Sequence, residues 1–101
     1  MATFYPQRAR TVVLSNTAAR QIDNITEQYE RMDDVYRGIE WAIATDPRMC
    51  DQIPGTDGIR IVKTDAYPNA PALRVYFRID NDDHHCTILE IHEIHVYEEE
   101  D

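Results

Sequence analysis

The sequence predicts an α+β domain in the order βααβββ, with an N-terminal strand and a helical hairpin packed on one face of a small, mainly antiparallel sheet. Three observations lead there. Residues 72–80, Ala-Leu-Arg-Val-Tyr-Phe-Arg-Ile-Asp, alternate strictly, so Leu73, Val75, Phe77 and Ile79 share one face and Arg74, Tyr76 and Arg78 the other. Residues 18–43 instead place apolar side chains at steps of three and four, the spacing of helix faces. Clusters of Pro, Gly, Asn and Asp then separate three β-rich runs in the second half of the chain.

Taken in order, residues 1–10 are expected to form an arm, and Thr11-Val12-Val13-Leu14 is a β-prone run ended by Ser15-Asn16, a pair suited to capping a helix. The first helix carries Ala18, Ile22, Ile25, Tyr29 and Met32 on one face. Asp33-Asp34 supplies an expected fresh N-cap, and Val35, Ile39, Ala42 and Ile43 make the second stripe. Asp46-Pro47 ends that helix, because a residue before proline is pushed out of the helical region. Within it, Gly38 is expected to allow a close helix approach, and Tyr36 and Trp41, off the apolar stripe, to cover its edge or form a contact patch, with packing favoured. Residues 47–58, with Pro47, Pro54, Gly55 and Gly58, read as a connecting loop. Strands are expected at 59–64, 72–80 and 86–97, with turns at 67–71 and 81–84. The acidic residues 98–101 read as a solvated, disordered tail.

A chain of 101 residues makes one domain, taken as 1–101, with room for a modest core. No run approaches the roughly 18 apolar residues of a membrane span, and the first residues lack the apolar core of a signal peptide, so a cytoplasmic protein is expected. Cys50 and Cys86 have neither metal-ligand spacing nor a secretory context and read as buried thiols. The net charge of −9 argues against wrapping bare nucleic acid by charge alone. Its distribution is uneven. Residues 1–22 carry Arg8, Arg10 and Arg20 with no acid, whereas residues 80–101 carry nine acids with no Lys or Arg.

With Leu73, Val75, Phe77 and Ile79 facing the helices, Ile59 and Ile61 are expected to face them too, leaving Arg60 and Val62 beside Arg74, Tyr76 and Arg78. In the last strand Leu89 and Ile91 fit the inward set, but Ile94 and Val96 have the opposite parity, which a β-bulge near His92-Glu93 would reconcile. One open face then gathers Arg60, Arg74, Arg78, Glu90, His92, His95, Tyr76 and Tyr97. Such a set suits phosphoryl transfer within RNA, where a 2′-hydroxyl attacks the adjacent phosphorus. His92 or Glu90 would take the proton, His95 or Tyr97 would protonate the leaving oxygen, and the arginines would stabilise the developing charge. The alternative is structural: Arg74 and Arg78 pair across strands with Glu90 and another acid, finishing a solvent-facing sheet. Neither a cofactor nor a metal is expected: a metal site of His84, His85, His92 and His95 has little support, since His92 and His95 share a face only where the strand bulges and His84-His85 occupy a turn.

The strand at 11–14, the helical hairpin, the loop from Asp46-Pro47 to Gly58, and the closing pair Leu73-Arg74-Val75-Tyr76-Phe77-Arg78-Ile79 and Thr87-Ile88-Leu89-Glu90-Ile91 together resemble the RelE/ParE superfamily of bacterial toxins from type II toxin–antitoxin systems. The resemblance covers about residues 11–97, with Phe77 standing where the family often has tyrosine. It implies an antitoxin partner and one of two activities. RelE-like members cut mRNA on the ribosome with basic residues of the central strands and a His or Tyr near the end of the last one. By position these are Arg60, Arg74, Arg78, His92, His95 and Tyr97. ParE-like members inhibit DNA gyrase instead. The His-Glu-Ile-His-Val-Tyr stretch at 92–97 favours the nuclease branch. Ribosome-acting relatives are usually basic, so the acidity of this chain adds a third expectation, a toxin-like domain serving as a non-catalytic binding module. Assembly as a homodimer stays open.

Overall fold

A computed structural model describes residues 10–81 and 84–94. Residues 1–9 of the expected arm at 1–10, together with His95, Tyr97 and the expected tail at 98–101, lie outside them. β1 (Thr11–Leu14) leads straight into α1 (Asn16–Thr26), because Ser15 leaves the strand in an extended conformation and its hydroxyl accepts from Ala18 N. α2 (Met32–Thr45) follows after a short link and ends at Asp46, before Pro47. Asp33 and Asp34 are not its cap. They lie inside the first turn, where negative charge complements the helix dipole, and Asp34 pairs with Arg31 at 3.2 Å.

The connecting loop holds more order than its composition suggests. A 3-10 turn at Pro47–Met49 and a two-residue strand, β2 (Asp51–Gln52), precede β3 (Ile59–Lys63), β4 (Leu73–Ile79) and β5 (His85–Glu93). The five strands run in the order β1-β5-β4-β3-β2, antiparallel except for the parallel pair β1 and β5. Both helices cover one face. Ala18 and Ile25 from α1, Met32, Ile39 and Ile43 from α2, Leu73, Val75 and Phe77 from β4, and Cys86, Ile88 and Ile91 from β5 form one buried core. Burying the apolar half of β4 while its other half stays on the opposite face is what sets that strand's register.

Two expectations for α2 fail. Trp41 is 69% exposed rather than packed, although Tyr36 does pack against the core. A Cβ built at Gly38 meets no atom within 4 Å, so this glycine permits no close approach. It only loosens the helix. Gly38→Ala should therefore raise stability by about 1 kcal/mol, read as a higher urea midpoint with an unchanged slope.

Candidate functional site

The face away from the helices is organised by the pairing of β3, β4 and β5. Lys63 lies directly across from Arg74, and Arg74 from His92. The next row is Ile61, Tyr76 and Glu90, and the row beyond it places Ile59 opposite Arg78 and Arg78 opposite Thr87. Side chains opposite one another in antiparallel strands stand on the same face. Arg74, Arg78, Glu90 and His92 are thus brought together as the alternation predicts.

Arg60 is not among them. Its register partner is the buried Phe77, so it stands on the helix side, where its guanidinium donates to the carbonyl of Cys50 at 2.8 Å and of Arg48 at 3.4 Å. Val62, opposite Val75, packs against the core, while Ile59 and Ile61 take the outer face. The reversal has a simple cause. Both parities of Ile59-Arg60-Ile61-Val62-Lys63 mix apolar with basic residues, so alternation alone does not choose between them. The same flip puts Lys63 on the outer face, a residue that sequence reasoning missed. Its signal would have been the chance to stand three cations apart from the core at once.

A bulge does exist in β5, but at a different place from the one expected. Phe77 pairs with Ile88 and Tyr76 with Glu90, so Leu89 is the extra residue. Ile88 and Ile91 consequently both point inward and are buried, while Leu89 joins Glu90 and His92 on the outer face. Without that insertion Glu90 and His92 would fall on the core side and Ile91 on the solvent side.

Across the bulge, Glu90 Oε1 and His92 Nε2 are 2.7 Å apart. A carboxylate only accepts, so Nε2 is the donor in this bond, and in the neutral ring the lone pair is on Nδ1. The Tyr76 ring stands edge-on to the imidazole, with centroids 5.9 Å apart. Ile53, Ile59 and Leu89 form an apolar floor beside Tyr76, Glu90 and His92, in an open concavity of about 340 Å³. Arg78 Nε lies 3.8 Å from Asp80 Oδ1, and Asp80 accepts from the Thr87 hydroxyl as well. Among the described residues neither Lys63 nor Arg74 has an ion-pair partner, and Glu90 spends its carboxylate on His92 instead of an arginine. Of the expected pairing of Arg74 and Arg78 with Glu90 and another acid, only an Arg78–Asp80 pair forms among the described residues, and it runs along the strand rather than across to β5. No group of three or more His, Cys, Asp or Glu among the described residues is placed to hold a metal ion, and no helix among them is long and apolar enough to cross a membrane.

Behind this face, Glu93 pairs with Leu73 on the helix side and accepts a short hydrogen bond from the Tyr29 hydroxyl. That bond, then burial and the Glu93 charge, raise the Tyr29 phenol above its usual 10.0. A raised folded value means that the contribution to stability is complete below pH 10 and is lost as pH climbs through the folded value. Urea unfolding as a function of pH should show this alkaline loss, and Tyr29→Phe should remove it. Burial also pushes the Cys50 thiol up, against a lowering by Arg60, and neither Cys50 nor Cys86 forms a disulfide among the described residues.

No protein-family model and no curated protein matches this chain by sequence. Similarity appears in three dimensions. The toxin–antitoxin complex RelBE2 from Mycobacterium tuberculosis contains a chain that superposes with a TM-score of 0.67 at 17% identity, covering 85% of this chain and 99% of that one. An arginine-to-alanine double mutant of the Escherichia coli toxin RelE in the free state gives 0.64 at 8% identity, covering 82% and 81%. The intact Escherichia coli RelBE toxin–antitoxin complex gives 0.64 at 6% identity, covering 87% and 100%. At such identities what is held in common is the architecture: two helices on one face of a five-stranded, mostly antiparallel sheet, which is the RelE toxin fold.

Proposed function

We propose that this chain is the toxin of a type II toxin–antitoxin pair and acts in the cytoplasm as a RelE-like endoribonuclease, cleaving mRNA on the ribosome. One observation carries the reading: the transverse row Lys63, Arg74 and His92, in which two cations without an ion-pair partner among the described residues lie side by side next to an imidazole oriented by Glu90. Like charges directly opposite on a sheet repel, so a fold gains nothing from this row by itself. An anion placed over it removes the repulsion, and an RNA phosphate is such an anion.

In the proposed reaction His92 Nδ1 takes the proton of a 2′-hydroxyl, and the 2′-oxygen attacks the adjacent phosphorus. Glu90 holds the imidazole and stabilises the imidazolium that forms. Arg74, Arg78 and Lys63 stabilise the charge that develops on the phosphoryl oxygens. The 5′-oxygen leaves with a proton from His95 or Tyr97, the two later candidates, giving a cyclic phosphate and a 5′-hydroxyl end. Arg60 has no part, since it serves the opposite side of the sheet. Two of the similar structures are toxin–antitoxin complexes, which supports an antitoxin as a partner here.

The test is cleavage of mRNA on programmed ribosomes by the purified protein, with gyrase supercoiling assayed in parallel. Cleavage lost in Arg74→Ala and His92→Ala is the expected result. Gyrase inhibition without cleavage would select the ParE-like alternative, and neither activity would leave a non-catalytic binding module.

A further inference from the structure

The backbone of β5 changes its partners at the bulge. β1 pairs with it from His85 to Ile88, ending where Leu14 meets Ile88. Past that point no strand among the described residues lies on this flank, and a carbonyl or amide left there would lack a partner. α1 and its capping residue supply bonds there. Ser15 N donates to the Ile88 carbonyl at 2.9 Å, the Ser15 hydroxyl donates to the Leu89 carbonyl at 2.8 Å, and Ile91 N donates to Gln21 Oε1 at 2.6 Å. Ser15 is at the same time the N-cap of α1, so the helix start and the bulge share one hydroxyl. The two residues Ile88 and Ile91 that anchor β5 in the core bracket the bulge, and the two outward residues Glu90 and His92 flank the amide that Gln21 holds.

We infer that Gln21 is a positioning residue for the Glu90–His92 pair, its side-chain carbonyl standing in for a sixth strand and fixing the backbone angle between the two side chains. The hydrophobic anchors decide which parity of β5 faces outward. They do not decide the aim of two half-exposed side chains two residues apart, and a single hydrogen bond to the intervening amide does. This inference rests on the reading of that pair as a site, but not on the reaction assigned to it.

The experiment compares the full chain with Gln21→Leu, which cannot accept, with Gln21→Asn, which retracts the carbonyl by one methylene, and with Gln21→Glu, which still accepts. Imidazole nitrogen-15 shifts of His92 report its tautomer, amide exchange reports Ile91, and kinetics on programmed ribosomes separate kcat from KM. Ile25→Val, a buried change in α1 away from the bulge, provides a stability control. Loss of one hydrogen bond should speed Ile91 exchange by roughly 5- to 10-fold and lower kcat by a similar factor at constant KM. The Nε2-protonated signature of His92 should relax towards the free mixture in Gln21→Leu and Gln21→Asn and return in Gln21→Glu. An unchanged His92 signature in folded Gln21→Leu or Gln21→Asn overturns the inference, as does an equal change in Ile25→Val. Absence of cleavage by the unsubstituted protein alongside an intact tautomer effect would instead refute the nuclease reading and leave the positioning role standing.

Discussion

On the proposed nuclease reading, His92→Ala should lower ribosome-programmed cleavage by about 10²- to 10⁴-fold, the usual share of a positioned acid–base group, while leaving the fold intact. His92 is 47% exposed and contributes nothing to the core, so its removal creates no cavity. Its neighbours, by contrast, are arranged around it: Glu90 at 2.7 Å, the edge-on Tyr76 ring and Arg74 directly across the ladder. Arg74→Ala should cost less, roughly 10- to 150-fold, corresponding to loss of a charged hydrogen bond of about 1.5–3 kcal/mol. Arg60→Ala serves as the contrast, since it should change stability and leave the chemistry alone. Single-turnover cleavage rates, with circular dichroism of each variant, decide the matter. A His92→Ala variant that cleaves as fast as the unsubstituted protein would remove His92 from the mechanism.

Phe77→Ala destabilises the domain by about 3–5 kcal/mol. Phe77 is fully buried in the central strand, and it stands opposite Ile88, at the point where the β4–β5 register shifts. The substitution empties the middle of the core and loosens the bulge together. For a domain of this size each kcal/mol corresponds to roughly 4–8 °C in Tm. Thermal melts should therefore show a loss far larger than for Ile61→Ala, whose side chain lies on the outer face. Comparable losses for the two variants would contradict the observed parity of β3 and β4.

The strands differ in how openly they declare themselves. β4 admits one reading, because its apolar and basic residues alternate without exception over Leu73–Ile79 and burial rewards only one face. α1 and α2 are legible too, with Ala18, Ile25, Ile39 and Ile43 buried where helix spacing puts them, but α1 stops at Thr26, short of Tyr29 and Met32, which were expected on it, and Met32 opens α2. β2 was invisible, since Asp51-Gln52 has no strand character and exists only because β3 offers an edge. Of the candidate face, Arg74 and Arg78 were legible from β4, and Glu90 and His92 were expected outward because Leu89 and Ile91 were read as the inward pair, although Leu89 itself stands on the outer face.

The amino-acid order by itself determined the βααβ core, its helix spacing and the cationic face of the central strand, because hydrophobic period is a local property and burial enforces it. Only the tertiary structure decided that Lys63 and not Arg60 joins that face, and that the bulge falls at Leu89. Both are choices between near-equivalent local patterns. They are settled by partners distant in sequence: the Cys50 carbonyl that draws Arg60 to the helix side, and the Ser15 and Gln21 side chains that receive the unpaired backbone of β5.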